Sequence, residues 1–310
     1  MSGQIIKRGP SVTLVPAGRS SGVFKDIKDL LGTRELLGAL LGRELAGKYK
    51  GSFLGLGWTL VRPLVMLFIY AVVVGQFLGA ARSVEQFAIF VFVGLLFWNL
   101  ISESISMGST SMTVNGALLK KVWFPREVLP LTSFAVATVN FLVQFGVLIF
   151  AFLIFKSWPE IGNLLYLIPV VLIVFPVAFG MSLIFSVVNV RFRDTQYIVE
   201  VGLVLGFWLS PIIYPWTFAH QFLASLPLGS LWQQLYLANP FGLVVMAAQQ
   251  ALWAPISTDA GKAYQFFDSP FATRLLIAVI ASWVFYTLRK EFLPVWQELW
   301  WLIYEHNCQS

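Results

Sequence analysis

Charge is scarce in this chain. Only 12% of its 310 residues are Asp, Glu, Lys or Arg, and 58% are hydrophobic, whereas soluble domains carry about a quarter charged residues. With a mean hydropathy of +0.77, the composition excludes a water-soluble globular domain and indicates a polytopic membrane protein. Cysteine is nearly absent. Cys308 alone excludes an intrachain disulfide framework and any cysteine-built zinc or iron–sulfur site. His220 and His306 are too few for a histidine metal centre. No G-x-x-x-x-G-K-[ST] phosphate loop occurs, since GSFLGLG at 51–57 has the glycines without the lysine or hydroxyl. There is no paired aspartate at a membrane edge and no nucleophile–base pair, and Asp194 of RFRDT stands isolated. The chain is therefore expected to be no enzyme and to hold no metal or cofactor of its own. Its net charge of +6 needs no nucleic acid, because lysines and arginines facing anionic lipid and cytoplasm give the same balance.

What is present is apolar length. At about 20 residues per crossing, six segments read as membrane spans: 58–78, 87–107, 128–155, 164–188, 196–215 and 271–288. The fold class is accordingly all-α, with six transmembrane helices. Residues 1–22 are polar and rich in Gly, Pro and Ser, and are expected to form a flexible cytoplasmic tail without a signal peptide's apolar core. From 23 to 50, Phe24, Ile27, Leu30, Leu31, Leu37, Leu41 and Leu45 fall on one side of a helix, with Lys25, Asp29, Arg43 and Lys50 opposite and Arg34 interrupting. This reads as an amphipathic helix in the membrane interface, or as a soluble helix packed on a partner. Residues 51–290 form the transmembrane domain. Within it, 222–237 and 241–254 are apolar but short, as re-entrant or interfacial outer helices would be. Residues 291–310 form a cytoplasmic C-terminal tail.

Lysine and arginine orient the chain. With the N-terminus inside, ten precede Pro63, three lie in 108–127, two are Arg191 and Arg193, and two are Arg289 and Lys290. Only Arg82, Lys156, Lys262 and Arg274 fall outside. Both termini are thus placed in the cytoplasm. One inside segment, NGALLKKVWFPREVLP at 115–130, is unusual. Leu118, Lys120, Lys121, Trp123, Phe124, Arg126 and Glu127 give apolar anchors ringed by charge, with Pro125 ending or turning the short helix. It reads as a protein-docking knuckle or as a positive-inside loop with interfacial aromatics. A second inside turn, with Arg191, Phe192, Arg193 and Asp194, repeats the recipe and points toward a motor on another chain.

Four stretches carry a family resemblance: RELAGKYKGSFLGLGWTLVRPLVMLFIY (43–70), FWNLISESISMGSTSMTVNGALLKKVWFPREVLPL (97–131), RFRDTQYIVEVGLVLGFWLSPIIYP (191–215) and NPFGLVVMAAQQAL (239–252). In this order they resemble the ABC-2 type permeases that export O-antigen, capsule, galactan and teichoic acid. The resemblance implies a half-transporter in a bacterial inner or plasma membrane. It would pair with a second copy of itself and two ATP-binding cassette subunits that carry ATP and Mg, and move a lipid-linked polymer. It also implies an ATPase-coupling surface made by the interface helix, with Arg43 and Lys50, by the knuckle, and by Arg191, Arg193 and Asp194.

A polymer of hydroxyls crosses hydrocarbon only along a polar or aromatic lining, since each unpaired hydroxyl costs several kcal/mol. Candidates for that path are Trp58, Tyr70, Phe97, Trp98, Asn99, Trp208 and Tyr214, although aromatics also belt ordinary membrane interfaces. Intramembrane charges are stronger markers. Arg62 either snorkels to the inner headgroups or meets the pyrophosphate of a lipid-linked substrate. Glu103, in the WN-x-x-x-E setting shared with the family, is expected to contact a neighbouring span. Glu200 faces the path or pairs with Arg193, and departs from the family's apolar residue or proline. Pro211 and Pro215 in SPIIYP suit a kinked outer gate. Competing readings are an ABC-2 permease for a small lipophilic compound, a membrane-embedded transferase and an ion-coupled flippase. KKVWFPREVLP favours the polymer exporter over the first, and the lack of an acidic pair or large cytoplasmic loop disfavours the second. The third predicts a chain of buried acids across one span and no ATPase partner.

Overall fold

The computed structural model describes residues 34–49, 53, 55–77, 84, 86–121, 124, 126–156, 158–253 and 271–287. The predicted tails, residues 23–33 of the interface helix, Lys50, Trp123 and Pro125 lie outside the described residues, as do the side chains of Arg62, Lys120 and Lys121. Among the described residues every regular element is helical. In chain order they are α1 (Arg34–Tyr49), α2 (Trp58–Ile69, continued by a π-helical stretch Tyr70–Phe77), α3 (Phe87–Val114), α4 (Gly116–Lys121), α5 (Val128–Phe155), α6 (Asn163–Arg191), α7 (Thr195–Trp208), α8 (Trp216–Ala224), α9 (Gly229–Leu237), α10 (Pro240–Trp253) and α11 (Phe271–Thr287).

Three of these, α3, α5 and α6, are long and apolar enough to cross a membrane, and the α9–α10 pair, bent by 75°, makes a fourth if it is one span. Helices α7 and α11 are apolar but shorter. The expected span 196–215 stops as a helix at Trp208 because Pro211 and Pro215 lack an N–H and push the residues before them out of the helical region.

Helix α3 is the centre. Of its apolar window 78% is buried, against 28% for α5, and it packs on α5, α6, α7 and α10. Small residues set its distance from α6. A Cβ at Gly108 would run into Ser182, whose Oγ donates to Ser104 O at 2.7 Å and to Ala178 O at 2.6 Å. Close approach through small residues is how membrane helices associate where lipid supplies no hydrophobic drive. Within α6 the ladder widens to a π turn over Phe175–Phe179, where Pro176 has no donor. Phe175 and Phe179 there pack on Trp283 and Tyr286 of α11.

Helix α1 turns its leucines onto its own chain. Leu37, Leu41 and Leu45 of the predicted stripe are half-buried and Leu40, outside that stripe, is deepest at 5% exposed. By contrast α2, α7 and α11 present wide apolar faces, including Phe68, Val201, Val204 and Ile280. In water these faces would aggregate, so they call for an apolar surrounding.

Candidate functional site

The knuckle forms an elbow between α3 and α5. Asn115 ends α3, its Nδ2 donating to Ser111 O at 3.0 Å, and its carbonyl accepts from the N–H groups of Leu118 and Leu119 to start α4. The carbonyls of Arg126 and Glu127 in turn accept from Leu129 and Leu131, opening α5. Between them Phe124 is buried, packed with Leu40 of α1, Met112 of α3, and Val128 and Leu129 of α5, while Leu118, Val187 and Val190 close the cluster. Of the apolar anchors expected to meet a partner, Leu118 and Phe124 thus tie α1 and the end of α6 to the elbow. What faces outward is charge. Arg43 donates to Asn115 Oδ1 at 2.5 Å and to Glu44 at 2.9 Å, and Arg126 and Glu127 are half-buried. Desolvation lowers the Arg126 pKa from its usual value, although a guanidinium remains charged at any physiological pH. In the second turn Arg191, Phe192, Arg193 and Asp194 are all exposed, with the Arg191 guanidinium 5.4 Å from the Phe192 ring centroid.

From this elbow a polar seam enters the bundle. Lys48 Nζ at the end of α1 reaches Glu103 Oε1 on α3 at 2.6 Å, and Asn140 Nδ2 on α5 donates to the same oxygen at 2.7 Å. One turn further along, Asn99 Nδ2 donates to Gln144 Oε1 at 3.3 Å. Asn99 and Glu103 are spaced i, i+4 on α3, as Asn140 and Gln144 are on antiparallel α5, so the two rungs form a ladder. Glu103 therefore contacts a neighbouring span through Asn140, and one cation, Lys48 of α1, joins it. The seam belongs to a longer stripe. Asn99, Ser102, Glu103, Ser106 and Thr110 share one face of α3 and are its half-exposed side, while Ile101, Ser104, Ile105 and Gly108 are buried. A carboxylate, an amide and three hydroxyls on the open side of a spanning helix are costly against lipid and suit a polar space. Glu200 also stands exposed, on the open face of α7.

The aromatic candidates divide. Phe97 is buried against Phe141, and Trp98 is buried between Phe207 and Phe241. Tyr70 is half-buried and stacks on Phe207 at 6.3 Å. Packing within one protomer accounts for these three. Trp58 and Trp208 are more than half exposed and remain available to a path. Tyr214 donates to Trp208 O at 2.6 Å and meets Tyr236 Oη at 3.1 Å.

Around the expected outer gate, Pro211 and Pro215 are buried. Their irregular segment leaves carbonyls without helical partners, and side-chain amides meet them. Gln249 Nε2 on α10 lies 3.1 Å from Pro211 O and 3.4 Å from both Ile212 O and Phe90 O, and Asn239 Nδ2 lies 3.3 Å from Leu209 O. Non-helical backbone at membrane depth persists where protein satisfies it in this way. SPIIYP and NPFGLVVMAAQQ, far apart in sequence, are one joined structure. Sequence reading missed Lys48, Asn140, Gln144 and Gln249. The i, i+4 spacing of Asn140 and Gln144 inside an apolar run was the available signal for the seam.

Residues 35–253, from the first turn of α1 through α10, match the family model described as ABC-2 type transporter. The chain belongs to that family. Among curated ABC-2 relatives, it is 28% identical over 270 residues to the O-antigen export system permease protein RfbA of Myxococcus xanthus, which covers 86% of this chain and 97% of the relative. A Klebsiella pneumoniae protein of the same name is 24% identical over 84% of this chain and 95% of its own length. The capsule polysaccharide export inner-membrane protein CtrC of Neisseria meningitidis serogroup B is 25% identical over 61% of this chain and 70% of its own length. The ABC-2 match thus spans both the elbow and the polar face of α3, and stops before α11.

Proposed function

We propose that this ABC-2 chain is the membrane subunit of an ATP-driven exporter that carries a lipid-linked polysaccharide or teichoic-acid-like polymer out of the cytoplasm. Two copies pair, six spans per copy surround the path, and the termini and the elbow face the cytoplasm. ATP and Mg2+ are held by two separate ATPase subunits that dock on the outward charges of α1, the elbow and the Arg191–Asp194 turn. The export of O-antigen and capsule named for the relatives supports the cargo.

The observation that carries the mechanism is the continuous path from elbow to stripe. Arg43 ties α1 to Asn115, the Phe124 cluster locks α1 to α5, and Lys48 on that same helix grips Glu103 in the polar face of α3. A push on α1 moves Lys48 relative to Glu103 and Asn140. Closure of the ATPases is thereby converted into opening along Asn99, Ser102, Ser106 and Thr110, which offer the sugar hydroxyls exchangeable hydrogen bonds. Such sliding contacts must be weak and many, because a tight site would hold the polymer.

The test is co-purification of the ATPase together with export measurement. Trp123→Ala with Arg126→Ala is expected to release the ATPase. Lys48→Met or Glu103→Gln is expected to keep it bound while export falls several-fold, the scale of one half-exposed charge-assisted contact. If either seam variant exports normally, the linkage is wrong. If the chain alone exports without an ATPase, the motor is not on that partner.

A further inference from the structure

A second feature lies away from the seam. Helices α6, α9–α10 and α11 enclose a cavity of about 510 Å³ lined by residues including Val177, Met181, Leu243, Arg274, Ala278 and Phe285. That is within the roughly 300–1,000 Å³ of small-molecule sites. No residue of α1, α3 or α5 lines it, so it is separate from the polar face described above. Its polarity is graded along α11. Arg274 stands half-buried at one end, Gln234 of α9 also lines the cavity, and among the described residues no carboxylate pairs with Arg274. At the other end the lining is apolar. Ser282, the remaining hydroxyl, donates to Val279 O at 2.8 Å within its own helix, and Phe285 closes against Gly180. Arg274 and Phe285 are separated by about 16 Å at 1.5 Å per helical residue, close to one leaflet's half of a roughly 30 Å hydrocarbon core. Ile277, 59% exposed, stands at an open side of the cavity.

We infer that this cavity is a binding site for an anionic phospholipid of the outer leaflet, one acyl chain lying between α6 and α11 and the phosphate held by Arg274 and Gln234. The leaflet rests on the orientation proposed above; the lipid site itself does not. The graded lining explains the choice of occupant. A dry apolar slot of leaflet depth takes a hydrocarbon chain, and a guanidinium at its mouth recognises phosphate rather than a zwitterionic pair. Seated there, the lipid would brace α11 against the bent α9–α10 pair that neighbours the gate.

The probe is phosphatidylglycerol against phosphatidylcholine. Full-length protein is purified from its membrane, exchanged into nanodiscs of each lipid or an equal mixture, and its retained lipids are counted by native mass spectrometry after delipidation. The unmodified protein and Arg274→Lys should retain phosphatidylglycerol preferentially. Arg274→Gln should lose that preference about tenfold, and Ala278→Phe should retain less of either lipid. The proposal is overturned if Arg274→Gln keeps the preference, if Ala278→Phe retains lipid normally while melting like the parent, or if only a polyprenyl-linked cargo is retained. Misplaced orientation would leave these counts unchanged and would appear instead as labelling of an Arg274→Cys variant, in a Cys308→Ser background, from the cytoplasmic side.

Discussion

Replacing Gln249 with methionine keeps the length of a buried side chain and removes its amide. The parent amide has two N–H groups for three carbonyls, those of Pro211 at 3.1 Å and of Ile212 and Phe90 at 3.4 Å, so at most two full hydrogen bonds are lost. An unmet buried carbonyl costs about 1–3 kcal/mol in soluble proteins, and interhelical hydrogen bonds in membranes average about 0.6 with a maximum near 1.7. Gln249→Met should therefore destabilise by about 1–3 kcal/mol, measured by unfolding in mixed micelles. It should also speed proteolysis between Leu209 and Trp216. Gln250→Met on the less buried neighbouring position should change stability by less than about 0.5 kcal/mol. Gly94→Ala should reproduce part of the loss, because its Cβ would sit 3.0 Å from Gln249 Nε2. Equal stability of the Gln249 and Gln250 variants would refute the claim that this amide holds the kinked segment.

Gly108→Val should overpack the α3–α6 contact at Ser182 and lower stability by about 1–3 kcal/mol, read as a lower midpoint in thermal unfolding of the purified protein. Phe124→Ala should remove the centre of the α1–elbow cluster at a cost of about 3 kcal/mol, and proteolysis within Arg34–Tyr49 should accelerate before the spans unfold.

Much of the fold was legible because span length is an arithmetic property of the sequence. The expected segments 87–107, 128–155 and 164–188 correspond to helices α3, α5 and α6, since long uncharged runs have one way to satisfy their backbone in lipid. The short stretch 241–254 corresponds to α10, which follows α9 at a sharp bend. What could not be read was pairing across distance. Glu103 announced itself as a costly charge, but nothing local said that Lys48, on a helix outside that span, would meet it. The aromatics misled in the opposite direction. Phe97 and Trp98 look like lining by type, yet buried rings and lining rings have the same composition, and here neighbouring phenylalanines enclose them. Phe124 likewise has the form of a docking anchor, and the leucines of α1 take up its apolar surface first.

The proposed export mechanism requires that one face of α3 border the path and move when the proposed ATPase subunits close. It is tested most directly by placing single cysteines at Ser102, Ser106, Thr110, Ile101 and Ile105 in a Cys308→Ser background. A membrane-impermeant thiol reagent is then applied to membranes containing the whole exporter, with and without ATP. Labelling at Ser102, Ser106 and Thr110 should change with ATP, and Ile101 and Ile105 should not label. Equal labelling around the helix, or none at the three hydroxyl positions in either state, would contradict it.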